Sequence, residues 1–546
     1  MNNVMQGIIK FVDKNTYPVL LTLFILWMCV GIFPLQCYET DGQEIILGCD
    51  IMYREGWSLP PVYSYAYRMQ PLTTILVVAL KHLMPFFTCE QIYCFLTALA
   101  ALLFLFGSIS FVRHITKASK SLILLAAMLL PEIYAIAMYP NTAIPAAACF
   151  IWAMVLIVRQ RLWLASVLLI VSVLFRLDIL AVFPAVLPLL LFEGKPLKHA
   201  LGLSLGYGVF VMALVVGLSL MLKTDWFGTY EEYQHNGPLI TPAERILSIT
   251  GFYSLAYFLL LPIGIGVIIA KKRWMELFVV LLPIVLIHYI YGAFGNASKH
   301  YLYNAPFVII AGVRAMEWLQ GLLRKHAVLK WATVVALILF MTVSVRKWNL
   351  SVPWISNNPL NKVGVVVPLY ETERAGTGYG LGIGAGFQLC TNDEDMLLTG
   401  HAFYPWYIRE IKRVMGDWRS QQKAAIDKVP TSNILVLEFG AAAPLSFEYM
   451  TEPYHFQQLK KMPEAYRYTI SNAERDLHFW RVVLTAPLTD SQQVVDYINS
   501  VSKDFLDGEC YLLSANNHYG ACYFMDELVP QGILEKKADR LYKILK

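Results

Sequence analysis

Apolar runs long enough to cross a bilayer dominate this sequence. A helical span needs roughly 20 apolar residues. Such runs stand near 17–35, 88–112, 121–139, 141–158, 162–176, 178–192, 200–222, 248–270, 275–293, 302–317 and 331–346. Only 15% of the 546 residues are charged and 57% are hydrophobic, whereas a soluble globular chain carries about 25% charged residues. The chain therefore reads as a multi-pass α-helical membrane protein with about eleven spans. The first run is too long for a signal-peptide core and no small-residue cleavage site follows it, so it reads as a retained helix. The net charge of +5 is spread out and gives no nucleic-acid signal. Nine cysteines show no CxxC or CxxH spacing, which argues against a zinc or redox motif.

Positive charge sets the sidedness. One set of connections holds Arg113, Lys117 and Lys120; Arg159 and Arg161; Lys195 and Lys198; "KKR" at 271–273; and Arg324, Lys325 and Lys330. The alternate short connections are poor in Lys and Arg. Cytoplasmic loops carry the basic excess, so the N-terminus reads as cytoplasmic. Residues 36–87, and everything after the last span, then read as external. The first domain is 1–346. Residues 347–546 contain no run long enough to span and read as one external soluble domain, α/β or α+β. In it "VGVVV" (363–367), "NILVLEF" (433–439) and "FWRVVL" (479–484) read as strands. The stretch 404–427, the segment after the N-cap Asp490, and "EKKADRLYKIL" (535–545) read as helices. A hairpin turn at "SANNHYG" sets Cys522 opposite Leu513, which argues against a Cys510–Cys522 disulfide.

The first external loop holds the densest acidic cluster, "YETDGQEIILGCDIMYREGW" at 38–57. On a helix over 41–55, Ile45, Ile46, Cys49, Met52 and Tyr53 share one face. Glu44, Asp50, Arg54 and Glu55 share the other. That pattern suits a helix lying in the membrane interface. After a Gly-, Pro- and Tyr-rich connection comes "PLTTILVVALKHLMP", short for a span and bearing Lys81 and His82, which reads as a second interfacial helix. Asp41 lies where the first span meets the first of these helices. A carboxylate there can act as a general base on a substrate hydroxyl or amine, or help hold a divalent metal against phosphate oxygens. The plainer reading is that external loops are free to be acidic.

The order of a first span, then "TDGQEIILGCDIMYREGW", then "YRMQPL", resembles the GT-C superfamily of integral-membrane glycosyltransferases. Protein O-mannosyltransferases and lipid A aminoarabinose transferases share this plan. "FRLDILAVFPAVLPLLL" (175–191) and "SKHYLYNAPFVIIAG" (298–312) are similar to two further segments of it. The resemblance implies an inverting transfer of a sugar from a polyprenyl-phosphate carrier to a glycan, lipid or protein acceptor on the external face. It places the catalytic carboxylate at Asp41. Gly42 stands where a common family form has a second acid, so the acid beside Asp41 is Glu39, Glu44 or neither, and a divalent metal stays open.

The departing phosphate needs positive charge. Lys299 and His300, at the external start of a span, are the first candidates. Ordinary interfacial anchoring is their plain alternative. Arg68 and Arg176 are further candidates, and Arg176 can instead pair with Asp178. Glu132 lies within an apolar stretch, where a carboxylate should face a cavity or a partner. The aromatic and acidic loop 223–247 suits an acceptor or an interface. A transporter or lipid flippase is the alternative class, but no two related halves are found. A scaffold and a polymerase or ligase of lipid-linked glycans fit the early acidic loop less well. The membrane is the plasma or inner membrane in a bacterium, the endoplasmic reticulum in a eukaryote.

Overall fold

The computed structural model describes residues 16–37, 40–57, 71–130, 136–138, 140–222, 252–291, 301–323 and 325–340, then chiefly the strands and helices of 344–545 named below. Two compact units emerge. The first comprises 1–35, 94–223 and 230–410; the second comprises 36–93, 224–229 and 411–546.

In the first unit a helix stands at each apolar run: α1 (Thr16–Ile32), with α2 (Thr40–Glu55) and α3 (Pro71–Leu83) of the second unit following it in the chain, then α4 (Cys89–Thr116), α5 (Lys120–Met128), α6 (Ala143–Val158), α7 (Leu162–Phe175), α8 (Val186–Phe192), α9 (Leu197–Leu222), α10 (Leu255–Ala270), α11 (Trp274–Tyr291), α12 (Ala305–Leu322) and α13 (Ala327–Phe340). Two segments, Cys89–Thr116 and Leu197–Gly217, are long and apolar enough by themselves to cross a membrane; the others described are shorter. The run expected as a helix over 178–192 instead opens as a 3-10 segment, Leu177–Ala185, before α8. Pro184 lies inside it and has no N–H for helical bonding. The last apolar run stops at Phe340, and 344–346 is strand. There β2 (Ser344–Arg346) pairs antiparallel with β1 (Phe252–Ser254), and β3 (Asn349–Val352), β4 (Val365–Pro368) and β5 (Gln388–Leu389) continue a five-stranded sheet.

The connections on the basic side are tight and alike. Arg161 N–H donates to the Leu156 carbonyl and Gln160 N–H to that of Ile157; Lys195 and Gly194 repeat this onto Leu190 and Leu191, and Arg273 and Lys272 onto Ile268 and Ile269. Each is a Schellman turn, which requires one left-handed residue after the helix. Gln160 (φ 58°), Gly194 (φ 77°) and Lys272 (φ 55°) supply it. Between α4 and α5, Lys117 also takes φ 61°. At this same end Arg314 makes a two-pronged contact with Glu276, Nε to Oε1 at 2.6 Å and Nη2 to Oε2 at 3.0 Å. Its Nη1 reaches the Thr116 carbonyl and Glu317. The buried guanidinium thus joins α4, α11 and α12 with charge-assisted bonds.

Close backbone approach sets the α10–α12 crossing. A Cβ on Gly264 would lie 2.0 Å from the Ala311 carbonyl oxygen, and one on Gly312 2.5 Å from the Tyr257 hydroxyl oxygen. Tyr257 donates to the Ala126 carbonyl at 2.7 Å, bringing α5 into the same contact. Gly264→Ala therefore forces the helices apart. We expect a loss of about 1–3 kcal/mol, read as a lowered unfolding temperature in detergent, whereas alanine at Gly266, with open space around it, changes little.

The second unit holds a seven-stranded sheet in the order β11-β12-β10-β6-β9-β8-β7. Its strands are β6 (Ser432–Phe439), β7 (Phe456–Met462), β8 (Ala465–Asn472), β9 (Leu477–Leu484), β10 (Glu509–Ser514), β11 (Leu534–Ala538) and β12 (Leu541–Ile544). Strands β10, β6 and β9 are parallel and the remaining pairings antiparallel. Helix α14 (Ser491–Ser502) is capped by Asp490, whose carboxylate accepts the Gln493 N–H at 2.9 Å. It buries Val494, Tyr497, Ile498 and Val501, the spacing of one helical face, against Leu435, Leu437 and Leu512 of the sheet. Two expectations are corrected here. The segment 535–545 is not a helix but the β11–β12 hairpin, turned at Arg540 (φ 62°). Burial of Leu534, Leu541 and Tyr542 at the sheet outweighs the helical propensity of its Lys, Glu and Leu content. Likewise β10 does not enter a hairpin. It lies parallel to β6 and is followed by helix α15 (Ala521–Leu528), and Cys510 is a free thiol. Residues 515–520, and nearly all of 404–427, lie outside the described residues.

Candidate functional site

Helix α2 begins at Thr40, so Asp41 is its second residue and Glu44 falls one turn later. Their side chains, and the whole of Glu39 and Arg68, lie outside the described residues. The apolar face of α2 is buried in protein: Ile45, Ile46, Cys49 and Met52 are each at most 2% exposed. Helix α3 packs along α2 and buries Val77 and Val78. Burial pushes the Cys49 thiol well above its ordinary pKa, and the neighbouring Asp50 charge adds to this, which leaves an inert thiol. Just ahead of α2, Cys37 N–H donates to Glu90 Oε1 at 2.7 Å.

The first unit contains a separate polar cluster, at the helix ends opposite the Schellman turns. Arg176 follows α7; its Nε donates to Asp178 Oδ2 at 2.7 Å and its Nη1 to Thr142 Oγ1 at 3.1 Å. Tyr303, ahead of α12, donates its hydroxyl to Asp178 Oδ1 at 2.7 Å. The Asp178 side chain is 1% exposed and that of Arg176 15%. Each carboxylate oxygen thus has a donor, and the two charges cancel. Asn141 accepts the backbone N–H groups of Ala143 and Ile144 and so caps α6 beside this cluster. The ring of neighbouring Tyr301 lies tilted against that of His288, with centroids 4.7 Å apart.

Of the residues singled out from sequence, the structure thus brings Arg176 to its Asp178 partner. Thr142 and Tyr303 were not singled out. The signal for Tyr303 was available, since a buried carboxylate in an apolar run needs donors and "YLYN" opens another span. Glu132, Lys299 and His300, and the loop 223–247, lie outside the described residues. Among the described residues no group of three His, Cys, Asp or Glu is placed to hold a metal ion.

This helical array, whose first helix leads into two short helices with further helices and a sheet domain after them, shares its fold with a solved structure. The solved structure that carries this is ArnT from Cupriavidus metallidurans bound to undecaprenyl phosphate, a GT-C family aminoarabinose transferase. It aligns over 97% of this chain and 98% of its own, with TM-score 0.52 and 11% identity. ArnT from the same organism in the apo state aligns over 99% and 98%, with TM-score 0.49 and 13% identity. The shared fold rests on the first of these. No protein-family model and no curated protein sequence matches the chain.

Proposed function

We propose that this protein is a membrane glycosyltransferase that moves a sugar from a polyprenyl-phosphate carrier to a glycan, lipid or protein acceptor on the external face. The observation that carries the reading is the end-to-end likeness to a structure that holds undecaprenyl phosphate. The helix that starts at Thr40, directly past the first span, supports it. In this reading Asp41 is the general base on the acceptor nucleophile, with Glu39 or Glu44 as its acidic neighbour. The acceptor attacks the anomeric carbon, inverting it, and the polyprenyl phosphate departs. Lys299, His300 and Arg68 offer positive charge to that phosphate, and Glu132 lines the site. Arg176 acts through its pairing with Asp178, as a positioning residue.

The topology proposed with this function has eleven spans and a cytoplasmic N-terminus, with 347–546 as an external domain. The tight turns carry Arg159, Arg161, Lys195, Lys271, Lys272 and Arg273, as the positive-inside rule requires of the cytoplasmic side. Exposed Trp163 and Trp274 flank the same turns, where aromatic side chains anchor at the interface. A cysteine placed beside Lys546 is expected to react with an impermeant thiol reagent in intact cells. Labelling only after lysis overturns the orientation.

The function is tested by mixing membranes that contain the protein with radiolabelled polyprenyl-phosphate sugars and external acceptors. Label is expected in an acceptor product of increased mass, at the expense of the carrier. Carrier left intact across all sugars and acceptors, with the protein folded, overturns the reading.

A further inference from the structure

The turn between α3 and α4, residues 84–88, presents an apolar tip. Leu83 is 77% exposed, Phe86 76%, Phe87 39%, and nearby Trp57 58%. Exposed apolar groups in such number mark an interaction surface. The backbone of the turn says which kind. Met84 N–H donates to the Leu80 carbonyl, Phe87 N–H to that of Met84, and Ile92 N–H to that of Thr88. Thr88 and Gln91 form a reciprocal capping box at the start of α4, at 3.0 and 3.1 Å. The Lys81 ammonium turns back along the helix and donates to the carbonyls of both Pro85 and Phe87, each at 2.7 Å. It also lies 5.4 Å from the centre of the Tyr53 ring. In water such carbonyls are also met by solvent, and a lysine near a helix end is one of several partners they can take. In an apolar medium each unmet backbone group costs several kcal/mol (about 2–7 by transfer measurements), and internal partners become necessary. A tip whose Met84, Pro85 and Phe87 carbonyls are met from within while phenylalanine is exposed suits a lipid boundary. The turn also leads without a break into α4, the 28-residue apolar helix.

We propose that Trp57, Leu83, Phe86 and Phe87 form a rigid wedge that seats in the headgroup–acyl boundary of the bilayer, with Lys81 as its internal brace. His82 completes the base of the wedge, its ring 4.7 Å from Tyr53 and 5.8 Å from Trp57. His82 thus links Tyr53 of α2, and Trp57 just after that helix, to the end of α3. The lipid contact of the first loop lies at this tip, whereas the apolar face of α2 is buried. This placement does not depend on the transferase reading.

The test uses the full chain in phosphatidylcholine–phosphatidylglycerol vesicles. One sample contains a phospholipid with a diazirine on a shallow acyl carbon; the other receives a water-soluble diazirine. After illumination, adducts are mapped by mass spectrometry, with the exposed stretch 535–537 as the water-facing reference. The segment 83–87 is expected to take the acyl label severalfold over the reference and to resist the aqueous label. Aqueous labelling equal to the reference, or protection from both reagents as a covering protein would give, overturns the wedge. Lys81→Met, with the reference segment unchanged, is expected to lower acyl labelling of 83–87 severalfold. Undiminished labelling removes the brace from the proposal. Phe86→Asp, a surface change outside the sheet and the helix crossings, is expected to abolish acyl labelling at the tip, and its persistence there contradicts the seating.

Discussion

Replacing Asp41 with asparagine is expected to lower turnover by about 10²–10⁴, the usual worth of general-base assistance, while membrane insertion stays normal. The substitution keeps the size of the side chain and removes its charge and basicity. Asp41 is the second residue of α2, at the junction with the first span. Glu55 is the last residue of the same helix, four turns away from it along the axis. Glu55→Gln is therefore expected to stay near wild type. Both variants are assayed side by side for sugar transfer at matched protein levels. Full activity in Asp41→Asn together with its loss in Glu39→Gln or Glu44→Gln reassigns the base within the loop. Full activity in all of them removes the loop carboxylates from the chemistry altogether.

The second large effect concerns the Arg176–Asp178 pair. Arg176→Leu leaves a buried carboxylate with its main counter-charge gone, and breaking a buried pair from one side costs about 3–5 kcal/mol. The loss is expected as a lowered unfolding temperature in detergent. Asp178→Leu is expected to be comparably harmful, because the guanidinium is then left without its carboxylate. The double variant, Arg176→Leu with Asp178→Leu, is expected to recover most of the stability, since replacing both partners of such a pair by apolar groups is often neutral. Transfer activity in the double variant then separates the roles. A recovered fold with recovered turnover means the pair is structural. A recovered fold with the carrier's apparent affinity still impaired gives Arg176 a positioning role towards the phosphate. Tyr303→Phe removes one donor to Asp178 and is expected to cost less, about 1–3 kcal/mol.

Elements with a strong local signal were legible before the structure. Helix α2 follows from the 3.6-residue spacing of Ile45, Ile46, Cys49 and Met52. Helix α3 follows from a proline that opens an apolar run, and α14 from the cap at Asp490. The Arg176–Asp178 pairing was legible because the partners are two residues apart. What needed distant partners was not. Tyr303 meets Asp178 across 125 residues, and no periodicity reports that. Amphipathicity shows that α2 has an apolar face but is silent on whether protein or lipid covers it. The β11–β12 hairpin reads as helix because local propensity favours helix there, and only the pairing of β12 with β10 reverses it. The 3-10 start at Leu177–Ala185 escaped because hydropathy measures length and not winding.

The repeated turns of the basic side carry a tension of their own. Each needs one residue in the left-handed region, and Gly194 fills that place without penalty. Lys117 and Lys272 fill it with a side chain, at about 1 kcal/mol each for a non-glycine residue in that conformation. Glycine there would relax the backbone and delete a positive charge from the side that the proposed topology puts in the cytoplasm. In that topology the chain would hold its orientation signal at positions where geometry alone would choose another residue. Lys272→Gly is a substitution that relaxes the turn while weakening the address.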